Sequence, residues 1–189
     1  WIGGIALAMG GLLIVRYSIE AGLFGPGVRL IMGAVFAAAM AIASEVMRRR
    51  DLQLHVRASF ADQIPAVLAG VSVLSAFGVV YAAHAVYDMI GPGPAFALMG
   101  IIGLSALAAS LLHGPRFGLF GLVGSYATPV MVSGTEPNYL ALSVFIAVVT
   151  SAAFLLYLRR PSVALLGGAV AGHSLWTGLI AMGGDAPGW

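Results

Sequence analysis

Seven long apolar stretches fill almost all of this 189-residue chain. Hydrophobic residues make up 60% of the sequence and charged residues only 8%, whereas soluble domains carry roughly a quarter charged residues. A helix needs about 20 apolar residues to cross the hydrocarbon core of a bilayer. The sequence therefore predicts an all-α fold, a polytopic transmembrane helical bundle that forms a single membrane domain over residues 1–189.

Charged residues, glycines and prolines mark the ends of the predicted spans. The spans lie at about 1–19, 28–47, 64–87, 94–112, 117–132, 139–158 and 162–182. The one long polar connection, 48–63, predicts either a short interfacial helix or a plain loop. Because the chain starts inside an apolar run, we expect the first span to be clipped and the natural protein to be longer.

All nine basic residues are arginines, and seven of them lie in alternate turns. They are Arg48, Arg49, Arg50, Arg57, Arg116, Arg159 and Arg160. Short cytoplasmic loops collect arginine and lysine. We therefore expect these turns to be cytoplasmic and the C-terminus exterior. The absence of lysine beside abundant alanine, glycine and valine suggests a bacterial chain, and hence a multi-pass protein of the bacterial cytoplasmic (inner) membrane.

The spans also follow a weak repeat of three tandem helical hairpins plus one helix. Each hairpin runs from a tyrosine through a proline-containing outer turn to an arginine-bearing inner turn, and the tyrosines are Tyr17, Tyr81 and Tyr126. Duplication of a hairpin explains this pattern, and so do turn chemistry and the inside-positive arginine bias, each acting independently. Small residues four apart, as in Gly33-Ala37-Ala41 and Gly168-Gly172, favour close contact between helices.

The densest polar cluster lies in the outer turn of the first hairpin. Arg16 and Glu20 are four residues apart, so they share a helix face, and Arg29 opens the next span on the same side. Two arginines against one glutamate leave a cation that could hold an anionic lipid headgroup, a lipid-linked phosphate or a substrate carboxylate. The alternative is an ion-paired anchor whose side chains snorkel to the interface.

The fifth predicted span is short and rich in glycine. Residues 117–132 make a helix of about 24 Å, less than the about 30 Å hydrocarbon core. A break in this helix would expose backbone groups to an ion or polar substrate, and the candidate residues are Ser125, Tyr126, Thr128 and Pro129. The alternative is a kinked helix whose glycines allow close packing.

Histidines supply a third candidate. His173 lies near the middle of the last span, with Ser174 and Thr177 next to it or one turn on. An ionisable group at this depth indicates a proton relay or a ligand for a pigment or metal, whereas a neutral histidine donating to a neighbouring helix would look identical. His84 is expected in an interfacial cluster with Tyr81 and Asp88, and His55 and His113 are expected to be solvated.

Other function classes find little support in the sequence. Cysteine is absent, and a net charge of +2 offers no basic patch for nucleic acid. Glu45, the one carboxylate inside an apolar run, is neutralised by Arg48 and Arg49 at i+3 and i+4. No metal-binding or phosphate-binding motif is present. We therefore expect no catalytic residues, no metal site and no cofactor, although an enzyme acting on lipid-linked substrates stays open as the third hypothesis.

Several short motifs resemble, in order and spacing, the bacterial predicted membrane proteins grouped as domain of unknown function 2339. The motifs are Arg16-Tyr17-Ser18-Ile19-Glu20 with Gly22, Gly25-Pro26 and Arg29, then Ile64-Pro65, Val80-Tyr81-Ala82-Ala83 with Tyr87, Pro92-Gly93-Pro94-Ala95-Phe96, Gly121-Leu122-Val123-Gly124-Ser125-Tyr126-Ala127-Thr128-Pro129 and Glu136-Pro137-Asn138. The resemblance implies a fragment of a longer member with further spans, and it implies no reaction, substrate or cofactor.

Two functions follow as hypotheses. The first is a non-enzymatic helix-packing module, or an accessory subunit of a larger membrane protein or complex. Its expected partners are membrane lipids and other transmembrane helices of a longer chain or complex. The alternative is a transporter or flippase of an amphipathic anionic or lipid-linked substrate, which would use the fifth span and the Arg16/Glu20/Arg29 cluster.

Overall fold

The computed structural model describes residues 25–54, 64–132 and 139–184, and every regular element in these ranges is helical. The six α-helices are α1 (Pro26–Leu54), α2 (Ile64–Tyr81), α3 (Pro92–His113), α4 (Pro115–Met131), α5 (Tyr139–Arg159) and α6 (Val163–Gly184). This confirms the all-α prediction.

Five of the described helical segments are long and apolar enough to cross a membrane. The exception is α4, whose apolar part, Phe117–Met131, is shorter, as its sequence predicted. The described helices correspond to the second to seventh predicted spans. The first predicted span, 1–19, lies outside the described residues, so the count of seven stays a prediction.

The end of α1 differs from the predicted boundary. The second span was expected to end at residue 47 with the arginines in a turn, but the helix continues to Leu54. The reason is local pairing on the helix surface. The Glu45 carboxylate accepts hydrogen bonds from Arg48 (2.8 and 2.6 Å) and from Arg49 (2.6 Å), one turn further on. These pairs support helical structure where hydropathy alone predicts a connection.

The third predicted span also departs from a simple α-helix. After Tyr81 the backbone widens into a π-helical turn over Ala82–Val86. The chain then turns through Asp88, whose φ of 49° lies in the left-handed region that Asp tolerates better than most residues. The His84 ring donates from Nδ1 to the Ile90 carbonyl (2.9 Å), so this histidine closes the turn between α2 and α3.

A one-residue connection joins α3 to α4. Gly114 adopts a φ of 94°, which favours glycine, and Pro115 occupies the first turn of α4, where its missing N–H is not needed. So short a connection makes the two helices an antiparallel pair.

The core of the described bundle lies among α3, α4, α5 and α6. Its centre is a cluster of fully or nearly fully buried aliphatic side chains: Leu107, Leu122, Val149, Ala153, Leu156, Leu165 and Ala169. A second cluster joins α2, α3 and α4 around Phe77 and Met99. By contrast α1 is peripheral, because only 11% of its membrane-length window is buried, against 39% for α3. The described domain is therefore a packed centre with one lightly covered helix at its edge.

Candidate functional site

Three helices contribute polar side chains that meet inside the bundle. Tyr126 of α4 lies with its hydroxyl 2.8 Å from the Thr150 hydroxyl of α5, and Thr150 Oγ1 lies 3.1 Å from His173 Nδ1 of α6. The Tyr126 hydroxyl also contacts the Ala169 carbonyl at 3.0 Å. We call Tyr126, Thr150 and His173 the polar chain. It links three helices within the apolar core.

Counting protons limits the possible directions of these hydrogen bonds. Tyr126 and Thr150 each have one hydroxyl proton, and the carbonyls of Ala169 and Ile146, the latter 2.7 Å from Thr150 Oγ1, can only accept. If Tyr126 donates to Ala169, Thr150 must donate to Tyr126; if Tyr126 donates to Thr150, Thr150 donates to Ile146. In both arrangements Thr150 accepts from a protonated His173 Nδ1. In a third arrangement Tyr126 donates to Thr150, and Thr150 donates to an unprotonated Nδ1.

The contact of His173 with Thr150 is a hydrogen bond in either direction, because Nδ1 can donate to the hydroxyl or accept from it. The geometry is that of a histidine hydrogen-bonded to a neighbouring helix, here to a hydroxyl on α5. The sequence had left open this reading and that of a proton relay or ligand.

Trp176 forms a second link from α6 to α4. Its indole Nε1 donates to the Tyr126 carbonyl (3.0 Å), and its side chain is buried. Within the same helix, Pro129 has no N–H and so leaves the Ser125 carbonyl without its usual helical donor. The Tyr126 ring itself lies against Gly172, where a Cβ atom would collide with it. Glycine at 172 therefore lets α6 reach the polar chain.

The candidate residues of the fifth predicted span lie in a continuous helix. α4 runs through Pro129 to Met131, and the side chains of Ser125 and Thr128 are fully buried. Thr128 donates back to the Gly124 carbonyl (2.9 Å). Ser125 Oγ has no hydrogen-bond partner among the described residues, and it lies against Gly103 of α3. Tyr126 joins the polar chain, whereas Ser125 lies against α3 and Thr128 bonds within α4.

Of the three candidates around His173, only His173 itself belongs to the polar chain. Ser174 and Thr177 are exposed on the surface of α6, and the Thr177 hydroxyl bonds within its own helix, to the His173 carbonyl at 2.8 Å. The structure therefore brings together His173 and Tyr126 and leaves Ser174 and Thr177 outside. Sequence reasoning missed Thr150 and Trp176. The signal for Thr150 was its position, next to Ser151, in the middle of a largely apolar span.

The outer-turn candidates are only partly described. Arg16 and Glu20 lie outside the described residues, and Arg29 lies half-buried in the first turn of α1, where its N–H donates to the Gly25 carbonyl (3.2 Å). The predicted cluster of these three residues stays a prediction.

Two further predictions concern the burial of His113 and the binding of a metal ion. His113 was expected to be solvated, but it is half-buried and lies within hydrogen-bonding distance of Ser44 and Ala109. Within the described ranges, no group of three or more histidine and acidic side chains is close enough to hold a metal ion.

Apolar helices of membrane-crossing length, packed around an internal polar chain, define a polytopic α-helical membrane protein. The chain belongs to the predicted membrane protein family DUF2339, whose family profile matches residues 1–186. The match confirms the resemblance drawn from the short motifs. No curated protein and no solved structure matches the chain. Membership establishes a multi-pass membrane protein and assigns no activity.

Proposed function

We propose that this chain is a non-enzymatic helix-packing module, an accessory part of a larger membrane protein or complex, that binds another transmembrane helix along α1. One observation carries the proposal: an apolar groove of about 340 Å³ runs beside α1 and α2. It is lined by Ala34, Ala37, Ala38 and Ala41 of α1, Ser72, Ala76, Val79 and Val80 of α2, and Ile102 of α3.

The lining of this alanine groove suits a helix. Small residues let two helix backbones approach closely, and in lipid such packing is a main source of helix association. Several glycine faces elsewhere in the described bundle are already occupied, for example Gly124 by Phe77 and Gly172 by Tyr126. No described residue fills the groove on α1, and α1 is the least covered of the described membrane-length helices. A partner helix with bulky aliphatic or aromatic side chains has the complementary shape.

We expect a small diazirine amino acid at position 38 to crosslink to a peptide of another apolar helix, identified by mass spectrometry of the product. The matched control is position 147, an exposed alanine near the middle of α5, which should give lipid adducts. Because overpacking of a fitted contact costs about 1–3 kcal/mol, Ala34→Leu should reduce the crosslink at position 38 by about tenfold, and Ala147→Leu should not. Lipid adducts alone at both positions would overturn the proposal.

A transporter or flippase of an amphipathic anion is the alternative proposal, and the polar chain is the feature that supports it. Polar side chains at membrane depth often lie on substrate or ion pathways. This alternative requires α4 to separate from α3, because Ser125 and Thr128 are fully buried. The packing module requires no such opening, which is why we favour it.

The orientation in the inner membrane belongs to the same proposal. We expect the arginine-bearing ends to face the cytoplasm. Since the chain has no cysteine, single substitutions can report the side directly. A cysteine replacing the exposed Arg160 should react with a membrane-impermeant maleimide only in inverted vesicles, and one replacing Met89, exposed in the turn before α3, only in right-side-out vesicles. The reverse pattern would contradict this topology.

A further inference from the structure

The α1 side of the alanine groove has one covered edge and one exposed edge. Ala37 is buried, so the edge that it forms is already packed. The exposed edge has the spacing i, i+4, i+7 of a single helix face, and it consists of Ala34, Ala38 and Ala41. These three side chains extend over two helical turns, about 11 Å along the helix axis. A helix that fills the groove must therefore present bulky side chains at the same spacing.

A segment of this chain has bulky side chains at that spacing. Residues 1–24 precede the described part of the chain, and a span is predicted from their sequence at about 1–19. Within it Ile5, Met9 and Leu12 recur at i, i+4 and i+7, so in a helix they would form one ridge. The ridge is bulky where the exposed edge of the groove is small, and the two have the same length.

The connection to α1 determines where this segment can lie. Residues 20–25 join the predicted span to Pro26, where α1 begins. Consecutive helices with so short a connection are ordinarily antiparallel neighbours. Because the rise per residue is the same in both helices, counting outward from the connection sets residues at about 4–11 level with the groove. The ridge lies at this level.

The charges at the connection favour the same arrangement. Counting outward also sets Arg16 level with Arg29, and Glu20 lies between them in the sequence. A glutamate and two arginines at one end of a hairpin contain opposite charges that attract each other. The charged outer turn and the apolar ridge therefore agree on one antiparallel register.

The covalent connection favours this segment over a helix of another molecule. A segment held by a short connection has an effective concentration on the order of millimolar at its site. In lipid, helices associate through close packing, so a separate helix with equal contacts gains nothing that the connected segment lacks. Between occupants of equal fit, the connection decides.

We propose that the alanine groove is the docking site of the apolar segment at about residues 1–19, which packs antiparallel to α1 with Ile5, Met9 and Leu12 in the groove. The inference rests on the proposed function, because it names the helix that α1 binds. The helix at the edge of the described bundle then gains its cover from its own chain.

Disulfide scanning tests this arrangement directly, because the chain has no cysteine. Ala38→Cys is combined with a single cysteine at each position from 4 to 12, and the protein is oxidised in its membrane. A linked product of monomer mass should form most at Met9 and about tenfold less at Leu7, which a helix places on its opposite face. Met9→Cys with Ala147→Cys, at an exposed position on α5, is the matched control and should form no disulfide.

Photocrosslinking at position 38 separates this inference from the proposed function. A crosslink to a peptide from residues 1–24 supports both. A crosslink to any other helix, without a disulfide between positions 9 and 38, overturns the inference and leaves the proposed function in place. Lipid adducts alone, without that disulfide, overturn both. Equal oxidation at positions 7 and 9, or a product of dimer mass only, also overturns the inference, because a docked segment of the same chain presents one face to α1.

Discussion

Replacing Gly121 by alanine is expected to destabilise the bundle by about 1–3 kcal/mol, because the new methyl group has no room. A Cβ at this position would lie 2.8 Å from the Leu107 backbone nitrogen, 2.9 Å from the Ala106 Cβ and 3.0 Å from the Gly103 carbonyl oxygen. Two of these neighbours are backbone atoms of α3, and backbone cannot rotate away as a side chain can. The methyl group can enter only if α4 moves off α3.

The measurement is the free energy of unfolding of the purified protein in mixed micelles, obtained by SDS titration. Gly78→Ala is the matched control, because Gly78 is an exposed glycine within α2 and a Cβ there would meet nothing within 4 Å. That variant should be neutral or more stable by about 0.5–1 kcal/mol, since alanine forms helix better than glycine. Equal effects of the two substitutions would show that the α3–α4 contact is not tight.

The α3–α4 contact also explains an unusual feature of the core. Gly103 of α3 and Gly121 of α4 face each other's backbones, and the Ser125 hydroxyl lies against Gly103. Because both helices lack side chains at this crossing, their backbones approach more closely than larger residues would allow. The one-residue connection at Gly114 holds the pair antiparallel. Together these glycines make α3 and α4 the rigid centre to which α5 and α6 add.

Hydropathy predicted the positions of the described helices because each helix in lipid must satisfy its own backbone hydrogen bonds along a continuous apolar run. It did not predict where α1 ends, because the pairs of Glu45 with Arg48 and Arg49 extend the helix into polar sequence. The π-helical turn after Tyr81 carries no local signal in the sequence. Its geometry depends on the contact of His84 with Ile90 across the turn.

Small-residue spacing predicted some helix contacts correctly. Gly33 faces Val79 of α2, Gly168 faces Leu122 of α4, and Gly172 faces Tyr126. The spacing alone could not say which neighbour fills each glycine face, since that depends on the order of helices around the bundle. It also could not show that Ala38 lines an open groove rather than a filled contact.

Only two of the three residues of the polar chain could be predicted, because the sequence does not give the order of helices around the bundle. Tyr126 and His173 stood out because each lies beside other polar residues in its own span. Thr150 has only Ser151 beside it in a largely apolar span, and its role became visible only from its contacts with Tyr126 of α4 and His173 of α6. Ser174 and Thr177 look equivalent to His173 in sequence, yet they point away from the core. Which side of α6 faces its neighbours is decided by tertiary packing.

Tyr126→Phe is expected to destabilise the protein by about 1–2 kcal/mol, because it removes the hydroxyl that links α4 to Thr150 and to the Ala169 carbonyl. Hydrogen bonds between transmembrane helices average about 0.6 kcal/mol and reach about 1.7 kcal/mol, and Tyr126 makes two of them. Thr150→Val should cost a similar amount, since it keeps the shape of the side chain and removes the central hydroxyl of the polar chain.

The double variant tests whether these hydroxyls act as one unit. If Tyr126 and Thr150 belong to a single hydrogen-bonded chain, the double variant should lose less stability than the sum of the single losses, with a coupling of about 0.5–1.5 kcal/mol. Tyr157→Phe and Thr177→Val serve as matched controls: Tyr157 is a second tyrosine of the bundle, and Thr177 bonds only within α6. Both should leave the free energy of unfolding nearly unchanged. Strictly additive losses for Tyr126 and Thr150 would mean that the two hydroxyls stabilise their helices separately, and the polar chain would then not couple α4, α5 and α6.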